Sequence, residues 1–262
     1  LCDAQAHIAR AELGAHAALH GVTMRTWHSA DGVAEPAAIA ALIAPPTGHL
    51  VHTAAVAIEN THNFGGGSVQ PLEHLQATSA AARAQGVRLH LDGARLWNAH
   101  VASGVSLETY GRLFDTVNVC FSKGLGAPVG SMLAASREVI DAAHDQRKRL
   151  GGGMRQSGVL AAAAAYALDH HLDRLADDHA AAAAFAEALA AEFPDAVGKP
   201  QTNIVVIDTG EQASSDVAGR AAQLGVRLSV LGPRTLRAVT SLEITTEQAA
   251  GAGRLVGRLL AG

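Results

Sequence analysis

The sequence has few aromatic residues, few cysteines and no long apolar run. Only 3% of its 262 residues are Phe, Trp or Tyr, so we expect helices that pack closely on small side chains, mainly alanine. Its two cysteines, Cys2 and Cys120, exclude a disulfide framework and a cysteine-ligated metal site, as is typical of the reducing cytoplasm. The longest apolar run, Val159–Leu168, is too short to span a bilayer. The sequence therefore predicts a cytoplasmic protein with no metal and no membrane partner.

Positive charge is also scarce, and lysine especially so. The net charge is −4 with neutral histidines, which argues against a nucleic-acid partner. Only three lysines are present, and Lys123 lies between Ser122 and a glycine-rich turn. Arginine could supply a charge there, but it cannot form an imine because its guanidinium stays protonated in proteins. The choice of lysine points to a reactive amine.

Short apolar runs alternate with helical segments in the first half of the chain. The predicted strands are His52–Ile58, Val87–Leu91, Thr116–Phe121 and Gly130–Ala134, and the predicted helices include Ala34–Ile43, Leu72–Gln85 and Arg137–Arg149. This alternation predicts an α/β fold whose mainly parallel, mixed sheet carries helices on both faces.

The second half of the chain has a different pattern. An alanine-rich helical stretch follows Gly151–Gly153 and continues to about Phe193. Predicted strands then follow at Thr202–Ile207, Arg227–Val230 and Leu236–Thr240, with a last helix capped by Thr245 or Thr246. We therefore predict a large cofactor-binding domain over residues 1–170 and a small α+β domain over residues 171–262.

Polar clusters directly follow three of the predicted strands: Glu59–His62, Asp92–Arg95 and Ser122–Lys123. Ligands of parallel sheets bind at the carboxyl ends of the strands, where these clusters would meet. Asp92 and Lys123 are about one β-α-β unit apart. An amine and a carboxylate on neighbouring strand ends suit pyridoxal 5′-phosphate, which needs a lysine for its imine and an acid for its ring nitrogen. The alternative is a solvated lysine and a helix-capping aspartate.

Four stretches resolve that choice: IENTHN (58–63), HLDGARLWNA (90–99), SKGLGAPVGS (122–131) and KRLGGGMRQSGVLAAA (148–163). In this order they resemble the L-threonine aldolases of the low-specificity type, which are pyridoxal-phosphate enzymes of fold type I, the aspartate-aminotransferase-like group. The resemblance extends over essentially the whole chain. It implies an aminotransferase-like large domain and cleavage of L-threonine, L-allo-threonine or a related 3-hydroxy amino acid to glycine and an aldehyde.

The resemblance also implies roles for residues around the cofactor. Lys123 matches the lysine that binds the cofactor covalently, and Asp92 matches the acid that pairs with the pyridine nitrogen. His7, in QAHI, matches a histidine that stacks on the cofactor ring. Lys148 and Arg155 resemble residues that reach the cofactor phosphate across a subunit interface, so a homodimer or homotetramer is expected. For that pair, the alternative is a basic patch ahead of a helix.

Substrate contacts follow from the same resemblance. Arg95 and Arg237 match arginines that bind the substrate carboxylate, which suits the two-pronged geometry of guanidinium. His62 matches a histidine near the β-hydroxyl, where an imidazole could accept the proton. Arg237 could instead be a surface residue of a strand edge, and His62 a structural histidine.

Two features leave other functions open. The chain begins at Leu1 without methionine and without the glycine–threonine turn that holds the phosphate in this family, so we expect a missing N-terminal segment. The same scaffold also supports other pyridoxal-phosphate reactions, such as β-elimination, transamination and racemisation. A catalytically silent fragment retained as an oligomerisation or binding module is a further alternative.

Overall fold

The computed structural model describes all 262 residues and contains nine strands. They are β1 (Cys2–Asp3), β2 (Thr26–Trp27), β3 (Ala55–Glu59), β4 (Arg88–Gly93), β5 (Thr116–Cys120), β6 (Ser131–Ala135), β7 (Ile204–Asp208), β8 (Ser229–Gly232) and β9 (Thr235–Val239). Side chains of β4 alternate between buried and more exposed positions, with Leu89 and Leu91 in the core. This alternation is typical of a β-strand, whose successive side chains point to opposite faces of the sheet.

The main sheet has the order β3-β4-β5-β6, in which the first three strands are parallel and β6 is antiparallel. Two backbone hydrogen bonds join Leu1 to β3, and they bring the small parallel pair β1-β2 alongside it. A separate antiparallel sheet has the order β7-β9-β8. The predicted α/β class with a mainly parallel, mixed sheet and a small C-terminal α+β unit is confirmed.

Eleven α-helices connect and cover these strands. They are α1 (His7–Arg10), α2 (Ala15–Ala18), α3 (Pro36–Leu42), α4 (Leu72–Ala84), α5 (Leu96–Ser103), α6 (Leu107–Arg112), α7 (Arg137–Arg149), α8 (Gly158–His171), α9 (Leu175–Glu192), α10 (Ser214–Gln223) and α11 (Thr246–Ala261). Thr245 caps α11 in a reciprocal capping box with Gln248, as expected from the sequence. None of the helices combines the length and apolar character needed to cross a membrane.

The alanine-rich stretch predicted to be helical up to Phe193 is divided into two helices. The break lies at Leu172–Arg174, between α8 and α9. At this break His171 Nδ1 donates to the carbonyl of Leu125 at 2.7 Å, and Arg174 donates to the carbonyl of Gly124 at 3.4 Å. These contacts come from residues far away in the chain, so helix propensity alone could not predict the break.

Two hydrophobic cores are present. The first extends from Trp27 to Leu175 and surrounds the mixed sheet. The second extends from Ala181 to Leu260 and lies between the antiparallel sheet and its helices. The cores separate a few residues beyond the proposed boundary at residue 170, and that boundary stays a prediction.

Close packing of α11 on α9 depends on glycine. A Cβ at position 253 would overlap the carbonyl oxygen of Phe185, and one at position 257 would lie 2.6 Å from Glu192 Cβ. Gly251, in the same helix, has nothing within 4 Å of the corresponding point. The absence of large side chains at 253 and 257 therefore lets the two helix backbones approach.

We predict opposite effects of Gly→Ala changes within α11. Gly253→Ala should destabilise the protein by about 1–3 kcal/mol, because the added methyl overpacks the contact with α9. Gly251→Ala should stabilise it by roughly 0.5–1 kcal/mol, because alanine loses less backbone entropy than glycine in a helix. Urea unfolding of both variants checks this. Equal stability of the two would contradict the packing argument.

Candidate active site

The predicted polar clusters lie side by side at the carboxyl edge of the main sheet. Glu59 ends β3 and pairs in register with Asp92 on β4, which in turn pairs with Asn118 on β5. Asp92 Oδ1 accepts from Ala94 N at 3.1 Å and from Asn118 Nδ2 at 3.5 Å. The other carboxylate oxygen of Asp92 makes no hydrogen bond within the chain, so it can serve a ligand.

Lys123 lies in the turn that begins just beyond β5. Its side chain is exposed on a cavity of about 460 Å³ that Arg95 and Asn203 also line. Residues Val239–Glu243 close the cavity from the side of β9. The primary amine therefore lies between the large sheet and the antiparallel sheet, where a small molecule can reach it.

Two guanidinium groups meet on a single amide oxygen. Arg95 Nη1 donates to Asn63 Oδ1 at 3.0 Å, and Arg237 Nη1 donates to the same oxygen at 2.6 Å. Neither arginine forms a salt bridge with a carboxylate, and Arg237 Nε is buried without a partner. The geometry brings together two cations that form no direct salt bridge within the chain, an arrangement that suits an anion.

Burial lowers the pKa of the Arg95 guanidinium, and the charge of Arg237 lowers it further. The nearby Glu59, Cys120 and Asp92 act in the opposite direction. Burial likewise lowers the pKa of Arg237. A bound carboxylate would offset both effects, because an opposite charge stabilises the protonated guanidinium.

Glu59 connects three segments of the site. Its side chain is 6% exposed, and its Oε2 accepts from His7 N at 2.6 Å while Oε1 accepts from Asn63 N at 2.7 Å. This carboxylate therefore holds the start of α1 and the loop that carries Asn63 against the end of β3. Sequence reasoning assigned no role to Glu59 or Asn63, although both stand in the stretch IENTHN and Glu59 directly follows the predicted strand His52–Ile58.

His62 is a buried residue of the same loop. Its side chain is 1% exposed, its Nδ1 accepts from Gly65 N at 3.0 Å, and its Nε2 lies 3.6 Å from Asp3 Oδ1. Gly32 packs directly on the ring, and a Cβ there would overlap it. In this position both ring nitrogens of His62 face protein groups.

Asp3 is the buried acid opposite His62. It also accepts from Gln5 N at 2.6 Å and from the hydroxyl of Ser29. Burial raises the pKa of Asp3, but the neighbouring His62, Ser29 and Gln5 N–H stabilise its carboxylate more strongly. The net effect is a pKa below the usual value for aspartate.

The remaining predicted residues lie farther out. His7 begins α1, and its Nε2 contacts Glu12 Oε1 at 2.8 Å on the surface. Lys148 is in the last turn of α7 and Arg155 in the loop after it; both are exposed and contact none of the other site residues within this chain. One chain thus brings together Asp92, Lys123, Arg95 and Arg237 around one sheet edge but leaves Lys148 and Arg155 apart.

The fold and this site define a class of protein. A mixed sheet flanked by helices, with a lysine turn after its third strand and an antiparallel unit closing over it, is the aminotransferase-like fold, fold type I. A threonine aldolase from Leishmania major has this fold with a TM-score of 0.82, 21% identity, and 99% of this chain and 76% of that chain covered. An ornithine aminotransferase from Toxoplasma gondii has a TM-score of 0.64 at 16% identity, over 91% and 57% of the two chains. At these sequence identities, the structural similarities show the fold alone.

Sequence comparison shows the family. The profile of the beta-eliminating lyase family matches residues 1–212, and the chain belongs to this family. It is 39% identical over 222 residues to the low specificity L-threonine aldolase of Escherichia coli (strain K12), covering 85% of this chain and 65% of that protein. It is 43% identical over 186 residues to low-specificity L-threonine aldolase 1 of Arabidopsis thaliana, covering 70% and 52%.

This chain thus spans about a third to two thirds of the length of the curated relatives it matches. Their names confirm the resemblance drawn from the four motifs.

We predict that Asp3 contributes to the acid stability of the protein. Because its folded pKa lies below the unfolded value of about 3.9, its stabilising effect is complete above that pH and is lost as the pH falls toward the folded pKa. Asp3→Asn should therefore lower stability at neutral pH and flatten its decline below about pH 4. Thermal unfolding from pH 2 to 7 measures this, with the exposed Asp145→Asn as control. A decline as steep as in the unmodified protein would contradict the prediction.

Proposed function

We propose that this site cleaves L-threonine, L-allo-threonine and related 3-hydroxy amino acids to glycine and an aldehyde, with pyridoxal 5′-phosphate as cofactor. The convergence of Arg95 and Arg237 beside the cavity of Lys123 carries the proposal, because it offers a carboxylate site next to a reactive amine. The names of the relatives support the same reaction.

The residues present fit this cofactor. Lys123 has an exposed amine on the cavity for covalent attachment, and Asp92 keeps one carboxylate oxygen free for the pyridine nitrogen. His7 is proposed to stack on the ring. When bound, pyridoxal phosphate accepts the electron pair released when the bond between Cα and Cβ breaks.

Binding and orientation of the substrate are assigned to the two arginines. A carboxylate that displaces Asn63 Oδ1 could accept from both guanidiniums, and Arg237 Nε adds a further donor. Fixing the carboxylate from two sides restricts rotation of the substrate and so can select which bond at Cα is aligned for cleavage.

A base must take the proton of the β-hydroxyl, and His62 is proposed for this role. In the structure its ring is enclosed, with Nδ1 bonded to Gly65 N and Nε2 facing Asp3. Direct proton transfer would therefore require the ring to turn out of this position, or a water molecule to relay the proton.

Assembly of the complete site is proposed to need a second copy of the chain, in a homodimer or homotetramer. Helix α7 has no buried residue, and the exposed apolar side chains Leu150, Met154 and Val159 follow Lys148, the last of them in the first turn of α8. An interface there would cover these residues and could bring Lys148 and Arg155 to the cofactor phosphate of the partner.

A cytoplasmic location is also proposed, supported by two cysteines that form no disulfide.

Lys123→Ala tests the cofactor assignment. We expect the unmodified protein to gain pyridoxal phosphate on Lys123 after borohydride reduction, located by peptide mass spectrometry, and to release acetaldehyde from threonine. Lys123→Ala should lose both, because no other group at this position forms an imine. The control Lys199→Ala removes another exposed lysine and should keep both. Labelling that persists without Lys123 would refute the assignment, and labelling without acetaldehyde would favour another reaction of this scaffold.

His62→Asn tests the proposed base. Loss of a general base should lower kcat by roughly 10²-fold or more and remove a pH-dependent limb of the kcat profile. Asp3→Asn is the matched control, since it disturbs the buried pair but leaves the imidazole in place. If both variants lose activity equally and keep the same pH profile, His62 acts through structure and the base lies elsewhere.

A further inference from the structure

The turn that carries Lys123 is short and rests on few internal contacts. Gly126 N donates to Lys123 O at 2.9 Å, and Ala127 N donates to Phe121 O at 3.0 Å. Leu125 is buried, but Lys123 and Gly126 are exposed. Two internal hydrogen bonds and two buried side chains, Leu125 and Ala127, give an exposed turn limited rigidity, so its position depends on what lies beneath it.

The break between α8 and α9 lies beneath this turn. His171 Nδ1 donates to Leu125 O at 2.7 Å, and Arg174 Nη1 donates to Gly124 O at 3.4 Å. Two consecutive carbonyls of the turn are therefore held by side chains from one short segment. A Cβ at position 124 would lie 2.6 Å from Leu175 Cδ2, so a larger residue there would require the buried Leu175 side chain to move.

A buried acid holds Arg174 in place. Asp178, one turn along α9, is 1% exposed and accepts a hydrogen bond from Arg174 Nη2 through Oδ1. Its Oδ2 has no hydrogen-bond partner and faces the turn, since it lies 3.6 Å from the position of a Cβ on Gly124. Burial raises the pKa of Asp178, against the opposing effect of Arg174. In an ordinary ion pair on a helix surface the carboxylate is exposed to solvent, whereas the carboxylate of Asp178 is buried.

Asp178 also connects the turn to the strand of Arg237. The hydroxyl of Thr240 donates to Asp178 O at 2.6 Å, and Thr240 N donates to Asn203 O at 3.0 Å. Thr240 directly follows β9, which carries Arg237 three residues earlier. One turn of α9 thus contacts both the lysine turn and the strand of the anion site.

We infer that Arg174 and Asp178 are positioning residues that hold the amine of Lys123 at a set place relative to Arg237. This inference rests on the proposed function for its chemical purpose, because imine formation and carboxylate binding require the two groups at a defined separation. Arg174 and Asp178 touch neither substrate nor cofactor in this scheme. They act through the backbone carbonyl of Gly124 and through Thr240.

The first test measures amide hydrogen exchange of the full chain without cofactor. Arg174→Met removes the contacts to Gly124 O and Asp178 while keeping an unbranched side chain, and the amides of Gly126 and Ala127 should exchange at least tenfold faster. Arg112→Met is the matched control, because Arg112 forms a similar pair with Glu108 four residues away on the surface of α6. Ile39→Val controls for general destabilisation, because Ile39 is a buried residue of α3 in another part of the fold.

Arg174→Lys keeps the proposal testable if Arg174→Met does not fold. Lysine retains the charge facing Asp178 but lacks the fork that reaches two acceptors, so exchange should be intermediate. Unchanged exchange of Gly126 and Ala127 in a folded Arg174 variant would overturn the inference. Equal acceleration in Ile39→Val would overturn it too, because the effect would then be global.

The second test separates the inference from the proposed function. Covalent attachment of pyridoxal phosphate to Lys123 should be at least tenfold slower in Arg174→Met than in the unmodified protein and unchanged in Arg112→Met. Equal attachment rates in Arg174→Met and the unmodified protein would overturn the positioning role. If the unmodified protein attaches no cofactor, the proposed function fails, while the exchange measurement still decides whether Arg174 holds the turn.

Discussion

The site depends on holding two positive charges together without a negative one between them. Arg95 comes from the turn between β4 and α5 and Arg237 from β9, and they share one neutral oxygen of Asn63. Like charges this close repel, and burial adds a desolvation cost that lowers the pKa of both groups. The contacts between the main sheet and the antiparallel sheet must offset this cost. A bound carboxylate would supply the negative charge that the protein does not place between the two guanidinium groups.

Much of the surrounding structure keeps this arrangement in place. Glu59 uses both carboxylate oxygens on backbone N–H groups, so it fixes Asn63 and the start of α1 without neutralising an arginine directly. Asp3 and His62 form a second buried pair, and His62 lies in the same loop as Asn63. On the other side, Arg174 and Asp178 support the lysine turn. The buried acids Glu59, Asp3 and Asp178 thus bind backbone N–H groups or other side chains. Arg95 and Arg237 therefore stay available to bind an anion.

Local sequence patterns identified some residues of the site and missed others. Asp92 and Lys123 were identifiable because each follows a strand of clear pattern, and the carboxyl ends of parallel strands must share an edge. Asn63 was missed although it stands in a recognised motif, because its importance comes from Arg237, 174 residues away. The break at Leu172–Arg174 was missed for the same reason, since its partners lie in the turn of Lys123. Local patterns contain no information on such pairs.

The sequence by itself determined the alternation of strands and helices, the strand ends that carry polar residues, and the family, because these depend on local periodicity and contiguous motifs. It also determined that an amine, not merely a charge, stands at position 123. Only the tertiary structure decided that Arg95 and Arg237 converge, that His62 is enclosed against Asp3, and that Lys148 and Arg155 lie away from the other site residues. Each of these depends on distances between segments far apart in the chain, which are set by packing of the two cores and not by any local preference of the residues involved.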